Sequence, residues 1–127
     1  MGRKMSGLRR CGTGEVAIEF AILFTTAMLL VLGLVEFGRA LWYQSTLDYA
    51  VQSAARCGAV NTSACGSAAQ IQQFAVSMAP GLAITTGNFA VTSPSCGTQV
   101  VASYTFQTIV PGLLPFTMNL NATACFP

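Results

Sequence analysis

The residue whose type and position could do chemistry is Glu19, which lies at the start of a long apolar stretch. No residue from 20 to 35 is charged, so a membrane segment formed by this stretch would have a carboxylate at its beginning. An ionisable group inside a membrane segment is energetically costly and therefore indicates a function. Gly14 lies five residues before Glu19, directly after a basic segment that contains Arg3, Lys4, Arg9 and Arg10.

The apolar stretch is long enough to cross a membrane. Residues 16–38 would form about 34 Å of helix, which exceeds the thickness of a bilayer core. The preceding basic residues keep the N-terminus in the cytoplasm by the positive-inside rule. A secretory signal peptide would have a shorter apolar core followed by a small-residue cleavage site. An uncleaved signal anchor is the remaining alternative, and it leaves Gly14 and Glu19 unexplained.

Two motifs carry a resemblance to a known family. The stretch from Gly14 to Phe20 resembles the processing site of type IV prepilins, where a dedicated peptidase cuts after Gly and leaves Glu at position five. Further along the apolar stretch, the residues Val35-Glu36-Phe37-Gly38-Arg39-Ala40 are similar to a motif of the TadE-like minor pilins, or pseudopilins, of tight-adherence systems. The family motif in this chain is thus Phe20, Glu36, Gly38 and Arg39. The resemblance covers about residues 8–60, and Phe20 replaces the Tyr common in major pilins, which favours the minor class.

The resemblance implies a function in a type IV pilus used for surface adhesion. A prepilin peptidase would cut between Gly14 and Glu15 on the cytoplasmic side of the bacterial inner membrane. The C-terminal domain would lie in the periplasm or, after assembly, in an extracellular pilus. The implied partners are the peptidase, other pilin subunits, the pilus assembly platform and membrane lipid. The alternative is a membrane-anchored envelope or secretion-machine binding module that does not polymerise.

The implied assembly mechanism is a charge pair in lipid. Cleavage creates an amine at Glu15, one helical turn from Glu19, and the amine of one subunit can meet the Glu19 carboxylate of its neighbour. Each charge offsets the burial cost of the other, which would fix the axial register of the subunits. The alternative is that Glu19 only extends its carboxylate to the membrane face.

The sequence predicts an α+β fold with three segments. Residues 1–14 are a cleaved leader, 15–60 form one long helix with its transmembrane part at about 16–38, and 61–127 form a small outer domain. Ser67 is expected to cap a short helix through Ala79. Alternating apolar residues predict an antiparallel sheet of about three strands packed against the long helix, near 89–91, 100–108 and 117–123, of which the second is the clearest.

Spacing along the long helix predicts further contacts. One apolar stripe is expected to contain Leu47, Ala50, Val51, Ala54 and Ala55. On another face, Asp48, Gln52 and Arg56 step by four and can interact. Glu36 and Arg39, three residues apart, can pair in the same way.

Four cysteines follow Gly14, namely Cys57, Cys65, Cys96 and Cys125. An even number in this position predicts two disulfides in an oxidising compartment, and counting alone allows three pairings. We favour Cys57–Cys65, because a turn-rich segment separates them. We also favour Cys96–Cys125, because Cys125 is expected to follow the third strand, whose end returns near the start of the antiparallel second strand.

Composition argues against catalysis, metal binding and nucleic-acid binding. The chain has no histidine, and residues 57–127 carry no charge. General acid–base and nucleophilic catalysis both need a positioned titratable group, so we predict that the protein is not an enzyme and needs no cofactor. The absence of histidine and of any C-x-x-C pair argues against a metal site. Once the leader is removed, no basic patch remains to hold phosphate.

Overall fold

The computed structural model describes residues 12–109, 112 and 115–127, with side chains described from Gly14 onward. Most of the predicted leader, residues 1–11, lies outside the described residues. The elements confirm the predicted α+β class and are, in order, α1 Gly12–Val60, α2 Ala68–Ser77, a 3-10 turn Thr86–Asn88, β1 Phe89–Thr92, β2 Thr98–Gln107 and β3 Thr117–Phe126. The chain divides into a first unit that ends at Val35 and a second unit, Glu36–Pro127.

The first unit is a helix whose apolar side chains are exposed on all sides. Phe20, Leu30 and Leu34 each expose about two thirds or more of their surface, at 66%, 66% and 71%. A helix that is apolar all round is typical of a segment buried in lipid or against other helices. The hydroxyls of Thr25 and Thr26 donate to the backbone carbonyls four residues earlier, so these polar groups are satisfied within the helix.

The second unit has one apolar core between α1 and the sheet. The side chains that α1 contributes follow helical spacing and are buried: Leu47, Ala50, Val51, Ala54 and Ala55. The sheet contributes Val100, Ala102 and Phe106, which are also buried. This confirms the apolar stripe predicted for α1. The alanine side chains of α1 and the short side chains of β2 are buried in the same core.

The short helix α2 begins where the sequence predicts. The Ser67 hydroxyl accepts a hydrogen bond from the backbone N–H of Gln70, and the Gln70 side-chain oxygen accepts one from the backbone N–H of Ser67. This reciprocal capping box satisfies two of the free donors of the first turn. The helix ends at Ser77, two residues before the predicted end. Gly81 then takes a φ of +82°, and Trp42 lies 2.9 Å from the place of a Cβ, so glycine is required there.

The three strands of the described residues form an antiparallel sheet in the order β1-β2-β3. β3 extends to Phe126, three residues beyond the predicted end, and Cys125 lies opposite Gln99 in the β2–β3 ladder. The prediction that Cys125 follows the third strand is therefore wrong. Cysteine and the alanine before it give little strand signal, but pairing with β2 continues the ladder through both. β2 runs from Thr98 to Gln107, which leaves the predicted strand residue Thr108 outside it.

Candidate functional site: the N-terminal helix and its contacts

The predicted cleavage site and the family motif all lie on α1. Gly14, Glu15, Glu19 and Phe20 are exposed residues of the first unit. A Cβ added to Gly14 would meet nothing within 4 Å. Glu15 and Glu19 are four residues apart, so their side chains share one face of the helix. The Phe20 ring stacks on that of Phe24, with 5.7 Å between the centroids.

Neither Glu15 nor Glu19 has a hydrogen-bond or ion-pair partner among the described residues. The single ion pair found in this part of the chain involves Glu36 and Arg39 instead. A carboxylate that is exposed and unpaired on an apolar helix can bind a cation from outside the described chain. The Glu19 carboxylate is therefore accessible from outside the described chain.

Glu36 connects α1 to the segment that follows β2. Its side chain is 7% exposed, and one carboxylate oxygen, Oε2, lies 2.7 Å from Nη1 of Arg39. The other oxygen, Oε1, accepts a 2.8 Å hydrogen bond from the backbone N–H of Ile109. This family-motif residue is thus part of the folded second unit, where it holds the end of β2 against the helix.

Arg39 is held on two sides by aromatic rings. Its guanidinium carbon lies 5.2 Å from the centroid of Phe106 and 5.5 Å from that of Tyr43. Nη2 also donates a 3.4 Å hydrogen bond to the Tyr43 hydroxyl. That hydrogen bond, with the charge of Glu36, raises the pKa of Arg39 above its ordinary value. A raised pKa favours the charged guanidinium, on which the ion pair and both ring contacts depend.

The remaining motif residue, Gly38, has no packing role in the described chain. It is exposed, and an added Cβ would meet nothing within 4 Å. The described residues therefore give no structural reason for a glycine at position 38.

Sequence spacing predicted an interaction along Asp48, Gln52 and Arg56, and the structure shows a different one. Asp48 accepts hydrogen bonds of 3.3 and 3.4 Å from the Gln44 amide, one turn earlier. Gln44 also donates a 3.0 Å bond to the backbone carbonyl of Asn121 in β3. Spacing alone could not reveal this contact, because it joins residues 77 positions apart.

The structure contains both disulfides that the sequence analysis favours. Cys57 and Cys65 are joined with their Cα atoms 5.7 Å apart, and Cys96 and Cys125 with theirs 6.2 Å apart. The first closes the turn between α1 and α2. The second links the β1–β2 connection to the far end of β3. No group of three or more His, Cys, Asp or Glu residues in the described ranges could hold a metal ion.

We predict that Glu36→Ala destabilises the second unit by about 2–3 kcal/mol, because it removes a charged acceptor from Ile109 and leaves Arg39 unpaired. Chemical denaturation of the full chain in detergent, followed by tryptophan fluorescence, measures the change. The control is Asp48→Asn, which alters a solvent-accessible carboxylate on the same helix and should cost less than about 0.5 kcal/mol. Equal effects of the two substitutions would contradict the role given to Glu36.

The comparisons with known proteins concern the same helix. Residues 14–56 match the family described as TadE-like protein. No curated protein and no solved structure matches the chain. The match begins at Gly14 and includes Glu19, Glu36 and Arg39, so it confirms the resemblance seen in the sequence. The family is a structural, pilus-associated one and not a family of enzymes.

The length and composition of α1 agree with this match. From Gly14 to Val60 it is the one described helix that is long and apolar enough to cross a membrane, and its most apolar window is unburied. A single-pass membrane anchor is consistent with these properties. Residues 14–56 are therefore a TadE-like helix, as expected of a TadE-like protein of the tight-adherence system.

Proposed function

We propose that this chain is a minor pilin or pseudopilin that takes part in assembly of a tight-adherence pilus for surface adhesion. A prepilin peptidase removes residues 1–14, and the helix that then begins at Glu15 joins other pilin subunits on the assembly platform. The observation that carries this proposal is the TadE-like match, which begins at Gly14 and contains the unpaired Glu19. The domain of residues 61–127 supplies the exposed surface of the subunit.

The membrane-spanning segment is best placed at residues 16–35. Those residues form roughly 30 Å of helix, which equals the thickness of a bilayer core. Glu36 is hydrogen-bonded within the second unit, so the span is inferred to end before it and not at residue 38. The basic leader places the N-terminus in the cytoplasm. The two disulfides fit a second unit located in the oxidising periplasm.

Assembly follows from charge neutralisation in lipid. The amine freed at Glu15 carries a positive charge at the end of an apolar helix. The Glu19 carboxylate of a neighbouring subunit can pair with it, and each offsets the other's desolvation. Because one misplaced subunit would leave both charges unpaired, this contact selects a single axial offset between helices. The exposed apolar side chains of the first unit supply the area over which those helices pack.

Gly14 and Glu15 are both helical residues of α1, so the peptidase must unwind the helix locally to reach the bond between them. Glycine disfavours helix by about 1 kcal/mol relative to alanine. Gly14 therefore makes the cleavage site easier to extend, and it presents no side chain to the peptidase.

The proposed processing predicts that the mature protein begins at Glu15 and that Gly14→Leu leaves the precursor uncut. Intact-mass measurement of membrane protein from cells that contain the peptidase decides between the two forms. Gly33→Leu is a matched control, because an added side chain there also meets nothing within 4 Å. It should be cut normally. Assembled protein that retains Met1 would overturn the pilin function.

A further inference from the structure

One edge of the sheet is open. β3 lies at the end of the strand order and pairs with β2 alone. At the opposite edge, α2 lies beside β1, and the Gln72 amide donates a 2.7 Å bond to the Phe89 carbonyl. Along β3, the single edge contact found in the described residues is the bond from Gln44 to the Asn121 carbonyl. The edge strands of natural proteins are usually covered or charged, but no residue of β3 is charged.

The phase of the β2–β3 ladder shows which backbone groups face this edge. Ser103 lies opposite Asn121. The Ser103 carbonyl accepts from Asn88 on the β1 side, and the Asn121 carbonyl accepts from Gln44 on the other side. The two residues are therefore a non-hydrogen-bonded pair, whose N–H and C=O groups point out of the ladder. By alternation, the N–H and C=O groups of Thr123 and Cys125 also point away from β2.

At its Cys125 end, this edge borders a groove with one cation in its wall. The groove, of about 290 Å³, lies between the C-terminal part of α1 and the end of β3. Its lining comprises Tyr49, Gln52, Ser53, Ala55, Arg56 and Ala124–Phe126. Arg56 is exposed and has no ion-pair partner among the described residues. Asp48, the nearest acid along α1, is instead bonded to Gln44.

We propose that the open edge of β3 binds an extended segment of a partner protein as a fourth strand, with an Asp or Glu of that segment on Arg56. Strand addition of this kind uses backbone hydrogen bonds for affinity and nearby side chains for specificity. Here Thr123 and Cys125 supply the donors and acceptors. Arg56 selects an acidic side chain, since its planar guanidinium matches a carboxylate.

Charge favours a different protein over a second copy as the partner. Every acidic residue of this chain lies on α1: Glu15, Glu19, Glu36 and Asp48. Residues 57–127 contain no Asp or Glu. A strand from these residues of a second copy could therefore pair with the edge but would bring no acidic side chain to Arg56. This surface goes beyond the proposed pilin function, because it depends on neither leader cleavage nor Glu19.

Peptide binding to the full chain in detergent micelles tests the proposal, with amide hydrogen exchange followed by NMR. In the free protein, Thr123 and Cys125 should exchange fast, whereas Ala122 and Ala124 should exchange slowly because their N–H groups lie in the ladder. The probe is a peptide in which Thr and Val alternate around one Asp. It should slow exchange at Thr123 and Cys125 about tenfold or more at saturation and leave Ala122 unchanged.

Two matched peptides and two variants separate the parts of the site. A peptide N-methylated at every residue has no backbone N–H to donate from either edge and should give no protection. Arg56→Gln should weaken the Asp peptide about tenfold and leave the corresponding Asn peptide unchanged. Thr123→Pro removes an outward N–H without removing a ladder bond, so it should abolish peptide protection at Cys125 while the β2 amides stay protected.

Three results would overturn the proposal. The first is that the Asp peptide does not protect Thr123 and Cys125. The second is that the N-methylated peptide protects them as well as the unmethylated Asp peptide does. The third is that Arg56→Gln weakens binding of the Asp and Asn peptides to the same extent. If Thr123→Pro fails to fold, the Arg56→Gln comparison still decides the matter. A chain that is cleaved and assembled but does not bind the peptide would refute the edge site alone.

Discussion

Glu19→Gln should still lose its leader but should form no pili. Glutamine keeps the size and hydrogen-bonding capacity of the side chain, so the peptidase meets nearly the same substrate around Gly14. The variant lacks the negative charge that would neutralise the Glu15 amine of the neighbouring subunit. An unpaired charge in an apolar environment costs several kcal/mol. A subunit that bears this cost should not join the pilus or support its formation, so sheared surface pili and adhesion should fall at least about tenfold.

Two controls show whether the effect belongs to that charge pair. Asp48→Asn removes a carboxylate from the second unit, where it accepts from Gln44, and should leave assembly unchanged. Glu15→Ala removes the side-chain charge beside the new N-terminus but retains the amine, so pili should still form. The measurements are intact mass for cleavage and quantification of sheared pilin for assembly. Normal pili in Glu19→Gln would mean that the carboxylate only reaches the membrane face.

Local sequence patterns predicted the elements of the fold because each pattern reports a local cause. The spacing of Leu47, Val51 and Ala54 identified the buried face of α1. Ser67 and Gln70 form the capping box that starts α2, as the cap residue indicated. The alternation in β2 gave the clearest strand. In each case the residues that determine the structure lie within about one or two turns, or one strand, of each other.

Contacts between distant parts of the chain could not be predicted in the same way. The extension of β3 through Cys125 depends on its pairing with Gln99. The bond from Ile109 to Glu36 joins a backbone N–H, which every residue but proline has, to a carboxylate 73 positions away. Sequence spacing suggested that Glu36 and Arg39 interact, and the ion pair confirms it. It gave no sign that this pair holds the end of β2.

The roles proposed for Gly14 and Glu19 involve other proteins, whereas the fold is formed by this chain alone. The spacing of Gly14 and Glu19 was recognised through a resemblance, and the family match covers both residues. The structure places them exposed on the first unit of α1, with no partner for Glu19 in the described part of the chain. Cleavage and assembly involve a peptidase and a second subunit, so the roles of Gly14, Glu15 and Glu19 in them stay predictions. By contrast, the binding edge of β3 was identified from the alternation of hydrogen-bonded and non-hydrogen-bonded pairs between β2 and β3, which the sequence does not reveal.

The disulfides give the second prediction with a large expected effect, because they close loops of different length. Cys57–Cys65 spans 8 residues and Cys96–Cys125 spans 29. In the loop-entropy model these closures stabilise the folded protein by about 2.5 and about 3.5 kcal/mol. The entire stability of a small domain is only about 5–15 kcal/mol, so either loss is a large fraction.

Replacing both Cys96 and Cys125 with Ala should therefore destabilise the second unit by about 3.5 kcal/mol, against about 2.5 for the pair Cys57 and Cys65. The two double variants are matched, since each removes one disulfide and leaves no free thiol from it. The longer closure also joins the β1–β2 connection to the end of β3, so its loss should speed amide exchange across the β2–β3 ladder. Loss of the shorter one should act mainly on the turn between α1 and α2.

Denaturation of the full chain in detergent, with residue-resolved amide exchange, distinguishes the two patterns. A larger loss of stability without Cys57–Cys65 would show that the α1–α2 turn, and not the end of the sheet, limits the stability of the second unit.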